Sequence, residues 1–375
     1  MELGLALSNI GRHLTREATV TLARAAEELG FASVWTSEHL VVPAALFDPF
    51  GQIFDSLTTL TYVAAVTERV RLGTSVLILP LHEPVLLAKQ AATLHALSGG
   101  RLRLGVGVGW LPEEFTLAGA DFAGRAAVMD HHLAVLRHLL QSVPTGPAPA
   151  PPGFEGVPFA PAVESPLPIL VGGHAPPALR RAARTGDGWH GVWLEPDEVP
   201  HYIEQTRGRS ERAGFTISVR VEFGLDEDGG PGGGARQLIG SSVQLLDQLR
   251  SYEAAGVDEL VIDFMDADHG GVPDLPEMLD QLRRFSDLVG ARSGDLRLLD
   301  VEEDRREPSR ASTASPPPAA TTRVGAGLLS AGAQAGSVGL QPATDGTAVA
   351  VALLLDALES KADSATGSPT GPRRR

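Results

Sequence analysis

Short apolar runs alternate with longer amphipathic stretches through roughly the first 290 residues of this 375-residue chain. The short runs lack polar alternation, which predicts strands buried on both faces. Eight strands are predicted, at residues 2–7, 33–36, 70–77, 102–108, 168–171, 189–193, 218–225 and 258–263. Helical patterns lie between and after them, at residues 15–29, 55–68, 84–97, 122–140, 176–185, 197–213, 235–255 and 275–288.

Eight strand–helix alternations of this length fit a closed (β/α)8 TIM barrel better than an open doubly wound sheet. An insertion rich in Pro, Ala and Gly, residues 144–166, precedes the fifth strand. The predicted fold class is therefore α/β, with a barrel domain at residues 1–290. Residues 291–375 are predicted to form a low-complexity, mostly disordered tail without aromatic side chains, in which residues 347–361 could form a short helix.

Composition excludes several classes of protein. The chain has no Cys and a net charge of −15, which excludes a disulfide scaffold and argues against nonspecific binding to nucleic acid or anionic membrane. It lacks an apolar run of about 20 residues and an N-terminal signal pattern, so we expect a cytoplasmic protein. No metal-binding pair of His stands at a strand end, so no metal is expected.

In such barrels the active site forms at the C-terminal ends of the strands. Glu38 and His39 follow the second strand, where a carboxylate and an imidazole could bind a cofactor and move a proton. A surface His that packs on its loop is the simpler explanation of that pair taken alone. Thr74 and Ser75 end the third strand, where small residues let a flat ring approach the backbone.

Glycines mark the next two strand ends. Gly105, Gly107 and Gly109 alternate along the fourth strand and leave a groove that a ligand or a bulge of the third strand could fill. Gly172 and Gly173 precede a predicted helix, and such a turn can bind an anion such as phosphate. Tight packing at the rim and an ordinary strand-to-helix turn are the structural alternatives.

Four stretches carry a resemblance to a known family: VRLGTSVLILPLHEPVLLAKQAATLHALSGGRLRLGVGVGW, EEFTLAG, FAGRAAVMDHHLAVL and PILVGGHAPPALRRAARTGDGW. In this order they resemble the bacterial luciferase-like monooxygenase superfamily, and within it the subgroup that uses the deazaflavin coenzyme F-420. The resemblance covers residues 2–290. It implies a barrel with an insertion, a cofactor at the C-terminal mouth and a homodimer.

The resemblance also implies roles for single residues. His39 and Glu38 match catalytic positions, a non-proline cis peptide is expected between Ser75 and Val76, and Ser8 and Trp110 are assigned to the substrate pocket. The implied cofactor contacts are Glu38, Thr74, Ser75, Val76, Val108, Gly109, Glu113, Gly172, Gly173, Ala175 and Pro176. Arg125 and Glu114 are expected to form a structural ion pair.

Trp110 stands where related sugar-phosphate dehydrogenases carry a catalytic Glu, which makes that activity doubtful. The leading hypothesis is hydride transfer between F-420 and a small organic substrate. The alternatives are a reduced-FMN monooxygenase that works with a separate reductase, and a flavin-binding relative without turnover. The acidic tail of F-420 should meet cations, and the candidates are Arg12, Arg180 and Arg181.

Overall fold

The computed structural model describes residues 1–7, 9–11, 14–140, 151–225, 237–264 and 273–292. The strands are β1 (Glu2–Ala6), β2 (Ser33–Thr36), β3 (Arg71–Thr74), β4 (Leu77–Ile78), β5 (Leu102–Gly107), β6 (Ile169–Gly172), β7 (Gly188–Val192), β8 (Thr216–Leu225), β9 (Gln237–Gly240) and β10 (Glu259–Asp263). The helices are α1 (Arg16–Glu28), α2 (Phe47–Phe50), α3 (Ser56–Ala64), α4 (Pro84–Leu97), α5 (Pro112–Leu117), α6 (Arg125–Leu139), α7 (Pro176–Thr185), α8 (Val199–Gln205), α9 (Ser242–Ala254) and α10 (Leu275–Arg292).

Parallel pairing closes the sheet on itself. The order runs β10, β1, β2, β3, β5, β6, β7, β8, and β8 pairs back to β10. β3 and β4 share one position, because both pair with β5. The result is a closed eight-position barrel with helices outside, so the predicted TIM-barrel fold is confirmed.

Polar side chains start several of the outer helices. Thr15 accepts a hydrogen bond from the Ala18 amide at 3.0 Å at the start of α1, and Asp55 accepts one from Thr58 at 2.7 Å at the start of α3. Ser241 and Gln244 form a capping box at the start of α9. These caps satisfy N–H groups that a helix leaves unpaired at its first turn.

The barrel interior is filled rather than hollow. The ring of Trp35 lies across it, so close to β3 that a Cβ at Gly73 would stand 2.2 Å from the indole. The imidazole of His190 stacks on the Trp35 ring, with ring centroids 4.9 Å apart. Below them, the fully buried Glu259 accepts hydrogen bonds from Ser33 at 2.5 Å and Arg103 at 2.8 Å. Side chains therefore occupy the barrel interior below its mouth in the part of the chain that the structure describes.

Two predicted elements differ from the structure. The third strand does not run unbroken through residues 70–77 but divides into β3 and β4 at Ser75 and Val76. The helix predicted at 235–255 begins only at Ser242, because residues 237–240 pair with β8 and Gly240 has a φ of 154°, which no helix allows. The helix predicted at 197–213 ends at Gln205.

The predicted insertion is irregular in its described part, residues 151–166, which contains a cis Ala160–Pro161 bond. The predicted tail, apart from residues 291–292 in α10, lies outside the described residues, as does the short helix proposed at 347–361. In the part of the chain that the structure describes, the helices are too short or too polar to cross a membrane.

Candidate active site

The third-strand bulge fills the glycine groove of β5. A Cβ at Gly105 would stand 1.9 Å from the carbonyl oxygen of Thr74, and one at Gly107 would stand 2.7 Å from Cγ2 of Val76. Of the two occupants considered for this groove, the bulge is therefore the correct one. The Ser75–Val76 bond within it is a non-proline cis peptide, as the resemblance implied.

Buried polar side chains of neighbouring strands form hydrogen bonds with Ser75. Its Oγ lies 2.8 Å from Nε2 of His190, and Arg220 Nη1 donates to its carbonyl oxygen at 3.1 Å. The same nitrogen donates to Ser37 at 2.9 Å, while Asp263 accepts from Arg220 Nε at 2.9 Å. These contacts link five strand positions of the barrel, so the main chain at Ser75 is firmly placed.

His190 is neutral in this network. Burial, together with smaller effects of the positive charge of Arg220 and of the neighbouring His174, lowers its pKa to about 3. Its Nδ1 lies 2.9 Å from Ser218 Oγ, so both ring nitrogens have hydroxyl neighbours. A neutral imidazole can exchange hydrogen bonds with hydroxyl groups through one donor and one acceptor nitrogen.

Glu38 uses its carboxylate to position β4. The Ile78 amide donates to Glu38 Oε2 at 2.6 Å, and His82 Nε2 lies 2.9 Å from the same oxygen. Burial lowers the pKa of His82, but the hydrogen bond and charge of Glu38 outweigh it and leave that pKa above its ordinary value. Glu38 is therefore part of an ion pair inside the protein, and its direct contact with a cofactor stays a prediction.

His39 pairs with Glu114 at the mouth. Its Nδ1 lies 2.9 Å from Glu114 Oε2, and the Leu40 amide donates to the other carboxylate oxygen at 2.6 Å. The rings of Phe50 and Trp110 meet the imidazole edge-on, with centroids 5.5 and 5.7 Å away. His39 is therefore nearly buried and held by a carboxylate rather than free on the surface, and its catalytic role stays a prediction.

The expected pair of Arg125 with Glu114 is wrong. Arg125 donates instead to the carbonyl oxygens of Gly109 at 3.3 Å and Phe122 at 2.7 Å, and it lies over the Phe122 ring. Glu114 is directed to His39 because it shares the buried side of α5 with Phe115, whereas the preceding Glu113 is exposed. The predicted contact of Glu113 with a cofactor is untested.

The backbone after β5 turns sharply at Gly109. Its φ is 77°, and a Cβ there would stand 2.7 Å from Ile78 Cγ2 and from the Phe115 ring. Only glycine fits this position. Val108 and Gly109 therefore bring main chain close to the bulge, where the resemblance places contacts to the cofactor ring.

The loop after β6 is shaped by its glycines and closed by two prolines. Gly173 has a φ of 108°, and its carbonyl oxygen accepts from Trp189 Nε1 at 2.9 Å. Ala175 is the N-cap residue of α7, and Pro176 is the first helical residue. Because Pro176 and the next residue are both proline and lack N–H groups, the anion donors here must come from the loop itself.

The structure distinguishes two of the cations that were predicted to bind the acidic tail of F-420. Arg180 is exposed, and none of the described residues bonds to it. Arg181 is buried and donates to both carboxylate oxygens of Asp130 at 2.9 and 3.1 Å, which holds the pKa of that carboxyl below its usual range. The prediction that Arg181 meets a ligand is therefore wrong, because its charge is used between α6 and α7.

Comparison with known protein families identifies the chain, because residues 4–228 match the family described as luciferase-like monooxygenase. The chain belongs to this family. It is 35% identical over 262 residues, 65% of this chain and 84% of the relative, to an uncharacterized protein of Mycobacterium tuberculosis. It is 28% identical over 229 residues, 56% of this chain and 65% of the relative, to an F-420-dependent glucose-6-phosphate dehydrogenase of Amycolatopsis mediterranei.

A solved luciferase-like structure has the same fold. It is the oxygenating constituent of 3,6-diketocamphane monooxygenase from Pseudomonas putida, in complex with FMN. The TM-score is 0.61 at 16% identity, with 78% of this chain and 98% of that chain covered. A relative named for F-420 and a solved structure in complex with FMN thus both resemble this chain.

Sequence reasoning missed Trp193 in this luciferase-like barrel. It follows β7 directly, and its φ of 51° makes it the one non-glycine residue with a positive φ among those described. The strand-end rule that selected the other candidates could also have selected it. Ser8 and Arg12, by contrast, lie outside the described residues. No cluster of three metal-ligating side chains occurs in the described ranges.

Proposed function

We propose that this luciferase-like protein is an oxidoreductase that transfers hydride between coenzyme F-420 and a small organic substrate. The observation that carries the proposal is the His39–Glu114 pair, held at 2.9 Å at the barrel mouth. An imidazole held by a buried carboxylate is suited to exchanging a proton with a substrate oxygen or nitrogen. The F-420-dependent relative supports this choice of cofactor.

The residues present fit such a cofactor. The ring would meet main chain at the cis Ser75–Val76 bond and at Gly109, whose φ of 77° keeps a side chain from this position. The phosphate would meet the loop at Gly172 and Gly173, which a Cβ would crowd. When bound, F-420 would supply or accept the hydride at C5.

The chain's own groups would handle the proton and the substrate. Glu114 fixes His39 through Nδ1, which leaves Nε2 to give or take the proton that accompanies the hydride. The rings of Trp110 and Phe50 lie against this imidazole and would exclude water from the reacting atoms. These aromatic side chains would favour an uncharged substrate.

Two measurements test the proposal. Purified apoprotein is titrated with F-420 and with FMN, and failure to bind either at submillimolar concentration contradicts it. The loaded protein is then screened with alcohols, aldehydes and imines, following F-420 absorbance. We expect His39→Asn and Glu114→Gln to lower kcat by at least about tenfold with unchanged cofactor affinity.

The matched control is Glu28→Gln, an exposed carboxylate at the end of α1, on the opposite face of the barrel. It should keep wild-type kcat and wild-type affinity. A Glu114→Gln variant with wild-type kcat and an unchanged pH profile would show that the pair does not serve proton transfer.

One observation favours the FMN monooxygenase as a second candidate. F-420 carries an acidic tail, yet Arg181 is occupied by Asp130, so Arg180 is the one predicted tail cation left free among the described residues. FMN ends at its phosphate and needs neither Arg180 nor Arg181. Tighter binding of reduced FMN than of F-420, with oxygen incorporated into a product, would favour this candidate, and turnover of any substrate would exclude a non-catalytic relative.

A further inference from the structure

Trp193 combines two unfavourable features at the barrel mouth. Its backbone has a φ of 51°, in the left-handed region that a bulky side chain rarely adopts. Its indole Nε1 is buried and has no hydrogen-bond partner among the described residues. Buried donors in native proteins nearly always have a partner. An outlier of this kind at a strand end points to a role in binding.

The neighbours of Trp193 place it between the two parts of the cofactor site. Its own amide donates to the Arg220 carbonyl oxygen at 2.8 Å, and the Arg220 side chain donates to Ser75 in the bulge. On the other side, the amide of the preceding Val192 donates to Nε2 of His174 at 3.3 Å, in the loop assigned to phosphate. The main chain at Trp193 thus lies between the strand ends that carry the proposed ring site and the proposed phosphate site.

We propose that the Trp193 indole N–H donates a hydrogen bond to an oxygen of the ribityl phosphate chain of the bound cofactor. An indole nitrogen only donates, so its partner must be an acceptor. Hydroxyl and phosphate oxygens occupy the stretch between ring and phosphate in both F-420 and FMN. The inference rests on the proposed cofactor site and holds for either cofactor.

The first test is a binding comparison with Trp193→Phe, which keeps an aromatic ring and removes the N–H. Wild type and variant are titrated with FMN, with F-420 and with lumiflavin, which has the isoalloxazine ring of FMN and a methyl group in place of the ribityl chain. We expect the variant to bind FMN and F-420 about tenfold more weakly, the loss of one hydrogen bond. Its affinity for lumiflavin should stay within about twofold of wild type.

The second test observes the N–H directly. The chain has four Trp, so protein labelled with ¹⁵N-Trp gives at most four indole signals, and the signal absent from Trp193→Phe belongs to Trp193. We expect this proton to move downfield when FMN or F-420 is added, as a new hydrogen bond forms.

The outcomes separate this inference from the proposed function. If wild type binds neither FMN nor F-420, the proposed function fails. If both cofactors bind, but Trp193→Phe keeps wild-type affinity for each and the indole signal does not move, the inference is overturned. A variant that only raises the KM of a substrate found in the screen assigns the donor to the substrate and also overturns it. A lower Tm with unchanged affinities shows a purely structural role.

Discussion

The neutral state of His190 predicts how the stability of this barrel depends on pH. The imidazole is stacked under Trp35, and its pKa is lowered to about 3 from an ordinary 6.5 by burial and by the positive charge of Arg220. Below pH 6.5 the unfolded chain binds a proton here that the folded chain does not bind. The stability contributed by the neutral imidazole is therefore complete above pH 6.5 and is lost as the pH falls toward 3.

The magnitude follows from the two pKa values. Each pH unit in this window costs about 1.4 kcal/mol. Between pH 6.5 and pH 5 the loss from His190 is therefore roughly 2 kcal/mol, which is a large share of the stability of an ordinary domain. Other titrating groups add their own effects, so the comparison must be made with a variant that lacks only this imidazole.

The assay is urea unfolding of wild type and His190→Gln, followed by circular dichroism between pH 7 and pH 5. The amide can keep hydrogen bonds to the flanking hydroxyl groups but cannot titrate. We expect the free energy of unfolding of wild type to fall by roughly 2 kcal/mol more than that of the variant. His201→Gln, which removes an exposed imidazole on α8, should follow the wild-type curve. Parallel pH curves for wild type and His190→Gln would refute the reasoning.

Two further predictions concern the glycine groove and the cations of α7. Gly105→Ala should lower the free energy of unfolding by about 3 kcal/mol and abolish cofactor binding, because its Cβ meets the Thr74 carbonyl at 1.9 Å. Gly290→Ala, exposed in α10 with open space around it, should instead stabilise by about 0.5 to 1 kcal/mol in urea unfolding. Arg180→Ala should weaken binding of F-420 in titrations and leave FMN affinity unchanged; equal losses would contradict this. Arg181→Ala should leave both affinities unchanged and lower the Tm, since it breaks the pair with Asp130.

Most of the barrel was predictable because each buried strand carries its own apolar signature. β2 matches its predicted bounds, and so do α4 and α7. The missed β9 shows the limit of such patterns. Its four residues pair at the end of β8, a tertiary contact, while their local sequence reads as the start of the helix that Ser241 caps.

The hydrogen-bond partners of the site residues were harder to predict than the position of the site. Glu38 and His39 are adjacent in sequence but face different partners, His82 and Glu114, which lie 44 and 75 residues further along the chain. Strand ends select candidate residues through local pattern, but pairing across the mouth depends on the closed geometry of the barrel. The same limit explains the error at Arg125.

The alternating glycines of β5 have a consequence for how this protein can change its substrate. In the floor of the mouth Gly105 packs against the Thr74 carbonyl oxygen and Gly107 against the Val76 side chain, so a substitution at either glycine meets a clash before it meets a ligand. New specificity must therefore come from the rim, where Phe50 and Trp110 surround His39 and where side chains can change size without disturbing the floor. In this architecture the backbone fixes the floor of the mouth, and the aromatic side chains of the rim are the part that substitutions can reshape.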